Sequence, residues 1–193
     1  SSYHMLRVER TLAQFPQDPS FDPYANAPEG FRCPWPPGFD FALAAVAWGL
    51  GGTAAAIAAV GTWAPAVLGA AAVPATAWLA FELGGARAAG WAAIAVATLP
   101  GHIYKTLAGR PDHHAAEALI SPLVLALVLF ALRTGSRAAW IGVGLGNALA
   151  ISMWPGAVIL PGLIAVGLTV TAVRRAGASL AAPRRSTFCC WMS

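Results

Sequence analysis

The sequence predicts an all-α integral membrane protein, a multi-span helical bundle, and three observations carry that reading. First, 58% of the 193 residues are hydrophobic and mean hydropathy is +0.62. Second, only 10% are charged, where a soluble domain carries about 25%. Third, runs rich in Ala, Gly, Val and Leu recur at lengths near the ~17–25 residues of a spanning helix once their flanks are included. Small residues of this kind let helices approach closely in lipid. The net charge of +4 comes from scattered or loop-borne basic residues, so the sequence implies a lipid bilayer as partner and no nucleic acid.

Residues 1–37 hold seven prolines and four of the eight acidic residues. They read as an ordered external loop, helical near Met5–Gln14, with Trp35 suited to a membrane–water boundary. Residues 38–60 form an apolar run interrupted at Gly49-Leu50-Gly51-Gly52, with Asp40 at its start. This is the weakest of the apolar runs. Non-crossing, as an interfacial or re-entrant segment, is preferred over crossing. Residues 61–173 read as transmembrane helices over Ala64–Phe81, Ala88–Leu99, Ala118–Leu132, Ala138–Met153 and Pro155–Val173, with turns expected at Gly61–Trp63 and Gly84–Arg87. Pro74, Pro122 and Pro161 are tolerated inside such helices. Residues 174–193 form a basic tail.

Charge orients the helices. The Arg133–Arg137 turn carries two arginines and the tail carries Arg174, Arg175, Arg184 and Arg185. Arginine-bearing turns face the cytoplasm, which places the loop around Asp112 on the external face. The three cysteines, Cys33, Cys189 and Cys190, define no disulfide framework. The first residues lack the apolar core of a signal peptide, and the chain reads as a piece of something longer.

The chemistry is expected in residues 102–117, where His102, Lys105, Arg110, Asp112, His113, His114 and Glu117 lie between apolar runs. Ionisable groups at a membrane are costly and mark function. Asp, Glu and His also ligate divalent metals. In extended chain, Asp112 and His114 point the same way and can share one ion. On a continuous helix they diverge by about 200°, so the reading needs a loop-to-helix junction, which Pro111 suggests. Beyond it, Glu117 falls on the face of His113 and His114 and can orient a histidine from behind. The competing reading is that Asp112 only caps the helix. Arg110 reads as a snorkelling cation, His102 as a boundary residue, Asn147 as a packing hydrogen bond, and Glu82 as a helix end.

Two separated segments resemble one family. Tyr3-His4, Arg7, Glu9-Arg10-Thr11-Leu12, Phe15-Pro16, Phe21-Asp22-Pro23-Tyr24, Asn26, Pro28-Glu29-Gly30, Trp35-Pro36-Pro37 and Phe39-Asp40 resemble the first external loop of the oligosaccharyltransferase catalytic subunit family, in archaeal or bacterial style. Lys105, Gly109, Asp112-His113-His114 and Glu117 are similar to its second external loop. The resemblance covers about residues 3–173. It implies the C-type glycosyltransferase architecture in a prokaryotic cytoplasmic membrane, with active-site loops on the external face. It implies transfer of glycan from a lipid-linked pyrophosphate donor to Asn of an Asn-x-Ser/Thr sequon, with Mn²⁺ or Mg²⁺ as cofactor. It carries catalytic roles onto Asp112 and Lys105, metal-ligand roles onto Asp112 and His114, and supporting roles onto His113 and Glu117. It also implies that both loops share one face, so residues 38–60 should not cross.

The departures are specific. Lys105 stands where the family more often has Arg, and a point charge replaces a bidentate fork. The acid before the Tyr-His pair, a later external-loop Glu and the soluble domain with its Trp-Trp-Asp motif are not in this sequence. The chain is therefore expected to be a truncated fragment, inactive alone. Another lipid-linked-sugar glycosyltransferase is the nearest alternative. A metal-handling membrane subunit would need further ionisable residues within the spans, and 138–173 has none. A purely structural subunit leaves the Asp-His-His cluster unexplained.

Overall fold

The computed structural model describes residues 2–181 apart from Tyr24. The N-terminal segment opens with helix α1 (Ser2–Ala13). Arg7, Val8 and Thr11 are buried on one of its faces, the spacing that stacks side chains along a helix. A two-residue antiparallel ladder follows, β1 (Phe21–Asp22) against β2 (Phe31–Arg32).

Helix α2 (Gly38–Gly49) buries Phe39, Asp40, Leu43, Ala44 and Ala47. Its 12 residues extend about 18 Å, well short of a hydrocarbon layer of roughly 30 Å. Gly51 and Gly52, at φ 99° and 65°, then turn the chain. Thr53 caps the next helix, its hydroxyl oxygen accepting the Ala56 N–H at 3.1 Å.

Helix α3 (Ala54–Thr98) is a hairpin rather than one rod. Gly85 interrupts it at φ 74°, ψ −166°, a region open essentially to glycine alone. The returning limb comes back beside the first: Gly109 N–H donates to the Thr62 carbonyl at 2.9 Å, and His102 Nε2 lies 3.1 Å from the Gly69 carbonyl. After a break at Leu99, the short helix α4 (Pro100–Lys105) ends the limb. Gly69 is required here, because a Cβ would collide with the Thr106 side chain.

Helix α5 (His113–Thr134) is capped by Asp112 and closed by Gly135 in the left-handed region, the common helix stop. Ser136 caps α6 (Arg137–Met153). A 3₁₀ turn at Pro155–Val158 leads into α7 (Ile159–Ala181). The core joins Val8, Phe39 and Leu43 to Val60, Ile120, Val124, Val143 and Leu160, so the N-terminal segment and the bundle share one interior.

Three helical stretches are long and apolar enough to cross a membrane: Ala54–Thr98, His113–Thr134 and Pro155–Ala176. Leu83, Trp91, Leu145 and Val173 are between 65% and 73% exposed. An apolar exterior of that extent belongs against lipid rather than water. The bundle has two chemically different ends. At one, Glu82 accepts from Arg133 Nε and Nη2, both at 3.0 Å, and from Trp78 Nε1 at 3.1 Å. At the other, His4, Asp40, His113 and Trp154 meet.

Several expectations shift. The chain does not turn at Gly61–Trp63, which lies inside α3. The break sits earlier, where two consecutive glycines adopt positive φ. Gly61 stays helical and receives the Met5 side chain, which leaves no room there for a Cβ. The fold-back at Gly85 falls within the expected Gly84–Arg87 turn. Helix α1 starts at Ser2 rather than near Met5. Helix α7 runs through Arg174 and Arg175, so the division at 173 is not a structural end. Arg184, Arg185, Cys189 and Cys190 lie outside the described residues. Asn147 bonds within its own helix, Nδ2 to the Val143 carbonyl at 2.8 Å, not across to a neighbour.

Candidate metal centre

Pro111 and Asp112 make the junction that the site requires. Asp112 is extended, at φ −151° and ψ 137°, and α5 begins at the next residue. Its Oδ1 accepts the His114 backbone N–H at 3.1 Å and lies 3.3 Å from His113 Nδ1. Asp112 is thus a helix cap and a neighbour of an imidazole at once. Burial pushes its carboxyl up, but the His114 N–H and the charges of His114, His113 and Lys105 outweigh this and hold it below the usual carboxylate range.

The two consecutive histidines find different partners. His114 Nδ1 is 2.7 Å from Glu117 Oε2, the i,i+3 contact that their spacing predicts. The His113 ring lies stacked with Trp154, centroids 6.1 Å apart, and its Nε2 is buried without a hydrogen-bond partner. An orphaned buried nitrogen of this kind calls for a ligand or ordered water.

The N-terminal segment completes the cluster from the other side. His4 meets His113 edge-on at 5.7 Å. Its Nδ1 is 2.6 Å from Asp40 Oδ1, and Arg7 Nη1 is 2.9 Å from Asp40 Oδ2. Two groups of side chains bring ligand atoms within 4.8 Å of one another: His4, Asp112 and His113, and His113, His114 and Glu117. His113 belongs to both. Tyr3, His4, Arg7, Asp40, His113, His114 and Trp154 line a cavity of about 320 Å³ at this end, with Trp35 at its edge. Burial and a hydrogen bond with Cys33 push the Tyr3 phenol up to about 12, so it stays a neutral hydroxyl.

This geometry rearranges the expected roles. Asp112 faces His113 and only the backbone of His114, so His113 is as central as the predicted pair of Asp112 and His114. Lys105 ends α4, near enough for its charge to act on Asp112. Arg110 is not simply solvated; its guanidinium sits 3.9 Å from the Tyr104 ring centroid. His102 is a tether to Gly69 rather than a boundary residue. His4, Arg7, Asp40 and Trp154 were not singled out by residue chemistry. A carboxylate at the head of an apolar run, and a His–Arg pair three apart on α1, are the signals that could have pointed to them.

Helices long and apolar enough to cross a membrane, with a carboxylate–imidazole cluster at one end, define a helical membrane protein. The chain belongs to the oligosaccharyl transferase STT3 family, matching the model of its N-terminal part over residues 2–181. It is 30% identical over 177 residues to dolichyl-phosphooligosaccharide-protein glycotransferase 1 of Archaeoglobus fulgidus, covering 91% of this chain and 29% of that protein. To glycotransferase 2 of the same organism it is 32% identical over 165 residues, covering 85% and 26%. The chain therefore spans less than a third of these relatives. Solved structures of the A. fulgidus oligosaccharyltransferase share the fold. The complex with Zn and sulfate matches with TM-score 0.75 and 26% identity, over 82% of this chain and 21% of that one. The archaeal AglB complex with an inhibitory peptide and a dolichol-phosphate matches with TM-score 0.75 and 24% identity, over 82% and 20%.

Proposed function

We propose that this chain is a section of a membrane oligosaccharyltransferase that transfers glycan from a lipid-linked pyrophosphate donor to the Asn amide of Asn-x-Ser/Thr sequons. Its contribution is one wall of a metal and diphosphate site on the external face of a prokaryotic cytoplasmic membrane. The observation that carries this reading is the convergence of Asp112 with His113 and His4 beside a cavity that His4, His113 and His114 line. The relatives bound to dolichol-phosphate and to an acceptor peptide with the NVT sequon support donor and acceptor of these classes.

The residues fit a divalent cation. The buried, unpartnered His113 Nε2 and the two groups of nearby ligand atoms form a mixed oxygen and nitrogen donor set. Asp112 with His113 and His4 would hold the ion from one group, and His114 would join through His113, which belongs to both groups. Imidazole-rich sites suit Mn²⁺ better than Mg²⁺, which prefers all-oxygen shells. When bound, the ion supplies Lewis-acid stabilisation of the charge that develops on the leaving pyrophosphate.

The chain's own groups do the rest. Glu117 holds His114 through Nδ1 and so fixes its ring and tautomer. Lys105 adds a positive charge beside Asp112. Arg7 lines the cavity, and its guanidinium offers donors to phosphate oxygens. Trp154 stacks on the His113 ring and covers it on that side.

The chain spans less than a third of its curated relatives, and the part of the site that it forms holds the ion weakly. Isothermal titration with Mn²⁺ tests this. Weak binding that Asp112→Ala removes is the expected result. Tight stoichiometric binding abolished by Asp112→Ala would contradict the partial-site reading, and binding indifferent to Asp112 would contradict the site itself.

A further inference from the structure

We infer that Asp40 is a positioning residue for this centre, acting through His4, and that Arg7 holds Asp40 for that task. The inference rests on the reading of the cavity as a metal site.

Asp40 is a carboxylate within the core. Its side chain is 1% exposed, and that of Arg7 is 7% exposed. A buried charge needs a partner, and Arg7 alone provides one through Oδ2. The carboxylate nonetheless spends its other oxygen, Oδ1, on His4 Nδ1 at 2.6 Å. His4 lines the cavity and shares a ligand group with Asp112 and His113. Phe39 closes on the His4 ring from a near-perpendicular angle, centroids 5.4 Å apart, which limits ring rotation.

The chemical consequence is a fixed tautomer. An ionised carboxylate only accepts, so His4 Nδ1 must carry the proton and donate it. The lone pair of neutral His4 is then on Nε2, free for the cavity. Carboxylates behind ligating histidines act in this way and set ring orientation and basicity. The same arrangement recurs across the cluster. Glu117 pairs with His114 Nδ1 at 2.7 Å, and Asp112 stands 3.3 Å from His113 Nδ1. His4 and His114 therefore each have a carboxylate hydrogen-bonded at Nδ1, and Asp112 lies near that of His113. Asp40 differs from the other two in coming from α2, so it couples the packing of the N-terminal segment onto the bundle to the state of the centre. A buried ion pair is a poor source of net stability but an effective positioner.

The test uses the 193-residue chain in detergent micelles with Zn²⁺ as probe. Asp40→Asn is expected to weaken Zn²⁺ binding by about tenfold to a hundredfold, and His4→Asn by a similar factor. If Asp40 acts through His4, the double variant loses no more than His4→Asn alone. Unchanged affinity in Asp40→Asn, or additive losses in the double variant, would overturn the inference. Should Asp40→Asn fail to fold, ¹⁵N-histidine spectra of the unmutated chain decide. They are expected to show His4 protonated at Nδ1, and a proton at Nε2 instead would overturn it. Asp112→Asn is the control for the underlying reading. Zn²⁺ binding that survives Asp112→Asn sinks the metal site, whereas binding lost there but retained in Asp40→Asn sinks only this inference.

Discussion

Replacing Asp112 with Asn and with Ala separates two roles that one carboxylate carries. Oδ1 caps α5 at 3.1 Å from the His114 N–H and also faces His113 Nδ1 at 3.3 Å. Asn caps about as well as Asp, whereas Ala in place of a capping residue costs about 1 kcal/mol. Both replacements also lose the favourable charge at the helix N-terminus, worth roughly 0.3–1 kcal/mol. Asp112→Ala should therefore be destabilised by about 1 kcal/mol more than Asp112→Asn. In a domain of this size that corresponds to a gap of about 2–4 °C in Tm. Both should lose Mn²⁺ affinity alike, since neither supplies an anionic oxygen. Thermal unfolding followed by circular dichroism, paired with Mn²⁺ titration, reads both effects. Equal instability of the two variants would refute the capping role. Retained Mn²⁺ affinity in Asp112→Asn would refute the ligand role and leave the residue as a cap alone.

Other outcomes follow from the fold. Gly85→Ala places a Cβ in open space but at a φ/ψ that only glycine adopts freely, so it should lower unfolding stability by about 1–3 kcal/mol. Gly69→Ala should displace Thr106, whose Cβ it would meet, and loosen α4, lowering Tm; an unchanged Tm would refute the close contact. In a Cys33→Ser, Cys189→Ser, Cys190→Ser background, Ala108→Cys should react with an impermeant maleimide from outside the cell and Ser136→Cys only after lysis. The reverse pattern would overturn the external placement of the Asp112 loop.

The helical membrane class was legible because composition and span length leave few alternatives. Asp112, His113, His114 and Glu117 were legible because charge is scarce in this chain and their spacing fits a helix start. Their pairing was less so. Whether Asp112 meets His113 or His114 depends on one residue's extended backbone at the cap, and simple periodicity does not resolve that. The turn at Gly61–Trp63 was misplaced because glycine, threonine and tryptophan resemble a loop in isolation. In the folded chain, Gly61 is buried inside α3 against the Met5 side chain. Asp40 was seen as a polar residue at the head of a weak span. Its significance is tertiary, since His4 and Arg7 reach it from α1, more than thirty residues away in sequence.

The central claim is that one ion at this end of the bundle touches both imidazole and diphosphate. Pulsed electron paramagnetic resonance of Mn²⁺ added to the chain with inorganic pyrophosphate tests it most directly. The account predicts ¹⁴N couplings from imidazole and ³¹P couplings on the same ion, with the nitrogen signals weakened in His113→Asn and His114→Asn. Phosphorus couplings without any nitrogen, unchanged in those variants, would mean that the ion sits with pyrophosphate in solution and would contradict the site.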